Sequence, residues 1–71
     1  MGTIAYIDEE FRDVVGSGTV NIEVGTTGYA GEGPQMYVKV DDRSVILSHK
    51  DAAKLCEAFA GVATYLGYPR D

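Results

Sequence analysis

The sequence predicts an α+β fold: a small antiparallel sheet of three to four strands packed on one face by a single C-terminal α-helix over about residues 49–66. Three observations carry this reading. Two segments alternate polar and apolar residues, a turn-rich tetrapeptide precedes a short apolar run, and the last third sets apolar residues at helical spacing between clear end signals. Residues 1–71 form a single domain, with no internal repeat, low-complexity tract or linker.

From the N-terminus, Thr3 to Ile7 reads as a strand. The next stretch, IDEEFRDVVG, fits either a two-turn helix capped by Asp8, with Phe11, Val14 and Val15 on one side, or an irregular strand entering a Gly16-Ser17-Gly18 turn; the strand is preferred. In TVNIEV, residues 19–24, Val20, Ile22 and Val24 share one face while Thr19, Asn21 and Glu23 share the other, as in a half-buried strand. GTTGYAGEGP, residues 25–34, holds four glycines and a proline and reads as a connection of about ten residues, longer than a usual hairpin loop. In QMYVKV, residues 35–40, alternation resumes with Met36, Val38 and Val40 inward and Tyr37 and Lys39 outward. DDRS, residues 41–44, then turns the chain into Val45-Ile46-Leu47, a tight β-hairpin whose turn type stays open because Asp42-Arg43 lacks the favoured glycine.

Ser48 occupies an N-cap position, and Asp51 three residues on resembles the acidic arm of a capping box. At 100° per residue Leu55, Phe59, Val62 and Leu66 form a stripe flanked by Ala52, Cys56 and Ala63, with Lys50, Lys54, Glu57, Gly61 and Thr64 opposite. One helix face therefore packs on the sheet. Gly67 is a natural left-handed terminator, Tyr68 can fold back on Ala63, and Pro69 forbids continuation.

A chain of 71 residues gains only marginal stability from one core unless a disulfide, a metal or a partner adds to it. Cys56 is the single cysteine and His49 the single histidine, so an intramolecular disulfide and a zinc set are excluded and self-association or a bound partner is favoured. The first residues, MGTIAYIDEE, lack a basic n-region and an apolar run long enough for a signal peptide or membrane span, and Tyr6 spoils a myristoylation signal. They predict a soluble, cytoplasmic chain with no membrane partner. Net charge is −5, which repels a phosphate backbone and disfavours direct nucleic-acid binding; mimicry of nucleic acid on a basic partner is a minor reading.

No catalytic machinery is legible. Gly28 and Gly33 have Walker-type spacing, but Pro34 and Gln35 follow where Lys and Ser/Thr are needed, and a strand follows where a helix N-terminus should hold the anion. His49 and Cys56 lie about two helical turns apart, ~10 Å, too far for direct proton transfer, and Cys56 reads as a small core hydrophobe. Asp8, Glu9 and Glu10 read as a solvated acidic patch rather than as metal ligands or an acid–base pair. No cofactor and no metal is expected.

Surfaces remain as the carriers of function. A sheet covered on one side leaves Tyr37, Ile46 and either Tyr6 or Ile7 on its open face beside Asn21, Glu23 and Lys39, and five tyrosines in the chain suit a protein interface. The contact candidates are Tyr29 and Glu32 in the glycine-rich loop, Tyr37, Lys39 and Ile46 on the open face, and the acids Asp8, Glu9 and Glu10.

The run MYVKVDDRSVILSHKDAAKLCEAFAGVATYLGY, residues 36–68, resembles a strand–turn–strand–helix pattern found in small orphan accessory proteins of bacteriophages, in which a segment of the form V.LS..DA..L enters a C-terminal helix. The resemblance covers about the last half of the chain and transfers no site residue. It implies a phage protein acting in the host cytoplasm, a modulator or anti-defence inhibitor of a host or phage protein. The sequence thus predicts a non-enzymatic protein-binding module that acts by steric binding as a homo-oligomer, a homodimer in the simplest case. Its alternatives are a small-ligand or nucleotide binder with a site at a dimer interface, an enzyme using Asp8, Glu9, Glu10 or His49 across a subunit boundary, and a structural component of a viral particle.

Overall fold

The structure is a computed structural model and describes residues 2–28, 31 and 33–69. Its elements are β1 (Thr3–Arg12), β2 (Thr19–Gly28), β3 (Pro34–Val40), β4 (Arg43–Ile46) and α1 (His49–Leu66). The strands lie side by side in chain order, each antiparallel to the next, so the sheet is a four-stranded meander ending in a helix.

Register turns the sequence alternation into two unlike faces. Ile22 pairs with Val40, Val24 with Val38 and Thr26 with Met36, and Val38 continues to Val45, so the alternating residues of β2, β3 and β4 form one apolar face. Glu23 pairs with Lys39, Gly25 with Tyr37, and Tyr37 continues to Ile46 on the opposite, largely polar face. One turn of pleat separates the two chemistries.

β1 is a single strand of ten residues, and no helix forms at IDEEFRDVVG. The pairing steps from Ile7↔Val24 to Ala5↔Gly25, which leaves Tyr6 as the extra residue of a β-bulge. The bulge shifts the alternation by one position, so Ile4, Ile7, Glu9 and Phe11 share the apolar face. Spacings of three and four from Phe11 to Val14 and Val15 imitate a helical period, which is why the sequence supported both readings.

Three connections hold the meander. In residues 13–18 the Asp13 amide donates to the Gly18 carbonyl at 3.1 Å, and the Asp13 carboxylate accepts from the Val15 amide at 2.9 Å. Between β2 and β3 only residues 29–33 connect, because Gly28 still pairs with Pro34; the expected ten-residue loop is therefore half that length. Glycine weakens strands through entropy, yet Gly25 is required where it stands: a Cβ there would overlap the Ile4 carbonyl and lie 2.9 Å from the Ala5 Cα. Thr26 and Thr27 behind it are β-branched and extend the ladder.

The β3–β4 turn consists of Asp41 and Asp42, with Asp41 at φ 56° in place of the usual glycine. Asp41 also ties this turn to β2: its amide donates to the Asn21 carbonyl at 2.8 Å while its carboxylate accepts from the Asn21 amide at 3.1 Å. Asparagine and aspartate tolerate the left-handed region better than other residues with a Cβ.

Both helix ends follow their signals. Ser48 Oγ accepts from the Asp51 amide at 3.2 Å, and Gly67 adopts φ 77° as the left-handed cap. The Tyr68 amide donates to the Ala63 carbonyl at 2.9 Å, completing a Schellman end.

The helix meets the apolar face of the sheet and covers only part of it. Of the strands it approaches only β3, touching it where Cys56 Sγ meets Met36 Sδ at 3.9 Å. Among the described residues, only Tyr37 and Ala52 are buried hydrophobics. The expected packing of the helix stripe is therefore partial: Leu55 and the flanking Ala63 are half-buried, while Phe59, Val62 and Leu66 are 55, 54 and 52% exposed. Cys56, expected inside, is exposed beside Met36. The molecule measures 41 × 27 × 20 Å with a radius of gyration of 13.8 Å, against about 11 Å for a compact chain of this length.

Candidate interaction surface

The apolar face of the sheet is left largely uncovered among the described residues. Across its middle row lie Ile7, Val24, Val38 and Val45, followed by Glu9, Ile22, Val40 and Arg43, with Phe11 and Val20 beyond. Ile7, Phe11, Val40 and Val45 count among the exposed large hydrophobics, and Val20, Ile22, Val24 and Val38 are only half-buried. The helical face that brings Ala52 and Cys56 to the sheet continues into Phe59, Val62 and Leu66. Sheet and helix stripe thus offer one extended apolar side rather than the singly scattered exposed residues that need no explanation.

At the root of the helix, Tyr6, Thr26, Met36, His49, Ala52 and Cys56 are among the residues that line a cleft of about 410 Å³. The bulge puts Tyr6 there; ordinary alternation on β1 would not have indicated it. Tyr6 or Ile7 was expected on the open face; both are on the helix side. Val14 and Val15, at the β1–β2 connection, are almost fully exposed and add an apolar tip that the sequence reading treated only as strand or helix.

The opposite face carries Asp8, Glu10, Arg12, Asn21, Glu23, Lys39 and Ser44, with Tyr37 and Ile46 as its large apolar members. Tyr37 and Ile46 share a row, and Lys39 is the cross-strand neighbour of both Glu23 and Ser44. Tyr37 is not a projecting contact residue. Its ring sits opposite Gly25, where no side chain competes for the space, leaving it 7% exposed. Its hydroxyl donates to Glu23 Oε2 at 2.5 Å. That hydrogen bond to the carboxylate, then burial, then the charges of Glu23 and Asp8 raise the phenol from 10.0 to about 12.

The acidic run does not form one patch. Asp8 and Glu10 face the polar side beside Glu23 and Asn21, whereas Glu9 pairs with Ile22 on the apolar side, because consecutive residues of a strand point to opposite faces. Ile46 and Lys39 lie on the polar face as expected, Ile46 half-exposed. Tyr29 and Glu32 fall outside the described residues. Among the described residues no three His, Cys, Asp or Glu side chains gather as a metal site, and no helix is long and apolar enough to cross a membrane.

Comparison with protein-family models, curated proteins and solved structures returned no match.

Proposed function

We propose that the protein is a small non-enzymatic protein-binding module that works as an oligomer by covering a surface of another polypeptide. The apolar side supports this reading: the chain folds a sheet and a capped helix yet leaves the facing apolar residues of both without cover. Such a side has no use in water and is well suited to meeting protein. In this role the chain acts sterically on a host or phage protein, as its resemblance to phage accessory proteins implies.

Neighbouring residues of β4 give the test, because Val45 and Ile46 point to opposite faces. Tagged wild-type protein, Val45→Asp and Ile46→Asp are used to capture partners from host lysate. One stoichiometric protein retained by the wild type and lost on either variant supports the reading and identifies the face in use. Equal, background-level recovery on all three overturns it.

The cleft at the helix root favours a second reading, a small apolar ligand held near Tyr6 and Met36, since about 410 Å³ lies within the range of ligand pockets. Its lining contains no Lys or Arg to hold a nucleotide phosphate. Mass spectrometry of the protein under native conditions tests it, a co-purifying small molecule being the expected result.

A further inference from the structure

We infer that the occupant of the apolar side is a second copy of this chain, and that the polar face is left outward for any third molecule. The inference rests on the reading of the apolar side as a polypeptide-contact surface and names what covers it. Area is the first argument. The chain exposes 5760 Å², whereas a compact folded chain of 7.6 kDa exposes about 4,300 Å². The surplus of about 1,500 Å² per copy is surface that the chain's own fold leaves uncovered, and a second copy is large enough to cover it, obligate homodimers burying about 2,000–5,000 Å² in all.

Charge is the second argument. Although the chain carries −5, the apolar face of the sheet has only Glu9 and Arg43, one of each sign, on the two edge strands. The outer strands' other charges, Asp8, Glu10 and Arg12, lie on the polar face with Glu23 and Lys39. On the helix, Asp51 and Lys54 flank Leu55, again one of each sign. Two apolar sides therefore meet without net local repulsion, and nothing on them would select a strongly charged partner. A closed pair related by a two-fold axis also satisfies both exposed halves at once, since each copy brings one sheet face and one helix stripe.

The test uses the purified full chain alone. Sedimentation is expected to give twice the chain mass of 7.6 kDa, and the denaturation midpoint is expected to rise when protein concentration is raised about a hundredfold. Val62→Asp and Val45→Asp should each halve the mass. Gly61→Asp, which adds the same charge on the far side of the helix where a Cβ meets nothing within 4 Å, should leave it doubled. If the two variants fail to fold, the concentration dependence of the wild type still decides. A wild type that is a folded monomer with a concentration-independent midpoint overturns the inference, as does a dimer indifferent to both variants. The capture experiment separates the two levels: a monomer that retains a partner lost on Val45→Asp sinks the second copy and the oligomeric part of the proposed function but keeps protein binding, and a monomer that retains none sinks the protein-binding reading as well.

Discussion

Gly25 shows how one residue can fix the geometry of a sheet. The bulge at Tyr6 brings the backbone of β1 in over β2, and only a residue without a Cβ fits beneath the Ile4 carbonyl. Gly25→Ala is expected to cost about 3 kcal/mol, because the obstacle is backbone and cannot rotate away. The denaturant midpoint measures it, with Gly18→Ala, where a Cβ meets nothing within 4 Å, as the tolerated control. Across β2 the same missing side chain gives Tyr37 its place, and the hydrogen bond to Glu23 has a pH consequence. The folded-state phenol at about 12 exceeds its ordinary 10.0, so the folded protein holds this proton more tightly than the unfolded chain. Its contribution is complete below pH 10.0 and is lost as pH rises towards about 12. Tyr37→Phe should therefore flatten the fall in stability over that window, read from denaturation midpoints of the two proteins at matched pH.

At the scale of elements, α1 is the best-signalled part of the chain and the least supported by packing. Its caps replace some of what burial does not supply. Ser48→Ala removes the acceptor for the Asp51 amide and should cost about 1 kcal/mol. Gly67→Ala forces a Cβ into φ 77° and should cost a similar amount, about 1 kcal/mol. Circular dichroism against temperature checks both, with loss of helix signal preceding loss of the sheet. The helix and the β2, β3 and β4 strands were legible because caps and alternation are local properties of the sequence. The bulge within β1 and the strand residues inside the glycine-rich segment were not, for one shared reason. A bulge shifts the phase of alternation at Tyr6 and demands glycine at position 25 on the neighbouring strand, so the facing of Tyr6 and Ile7 could not be read from alternation and a strand end looked like a loop.

How much of the sheet the helix covers belongs to the whole molecule, and no residue pattern specified it. The stripe from Leu55 to Leu66 was readable as apolar, but whether it meets its own sheet or another chain depends on how Ser48 launches the helix from β4. The same holds for the candidate surface: Ile46 and Lys39 could be placed on the polar face by alternation, whereas the openness of the apolar face emerges only in three dimensions. Segregation of charge between the faces then gives a last prediction. Association through the apolar side gains from burial rather than ion pairing, while two chains of −5 repel each other at long range. Added salt should therefore leave self-association unchanged or slightly tighter. A partner drawn electrostatically to Asp8, Glu10 and Glu23 on the polar face should weaken under the same salt, because exposed charges are screened. Sedimentation of the chain and titration of a captured partner over one salt series measure both responses. Dissociation of the oligomer by salt would show that ion pairs hold it, and that the apolar face is not its seam.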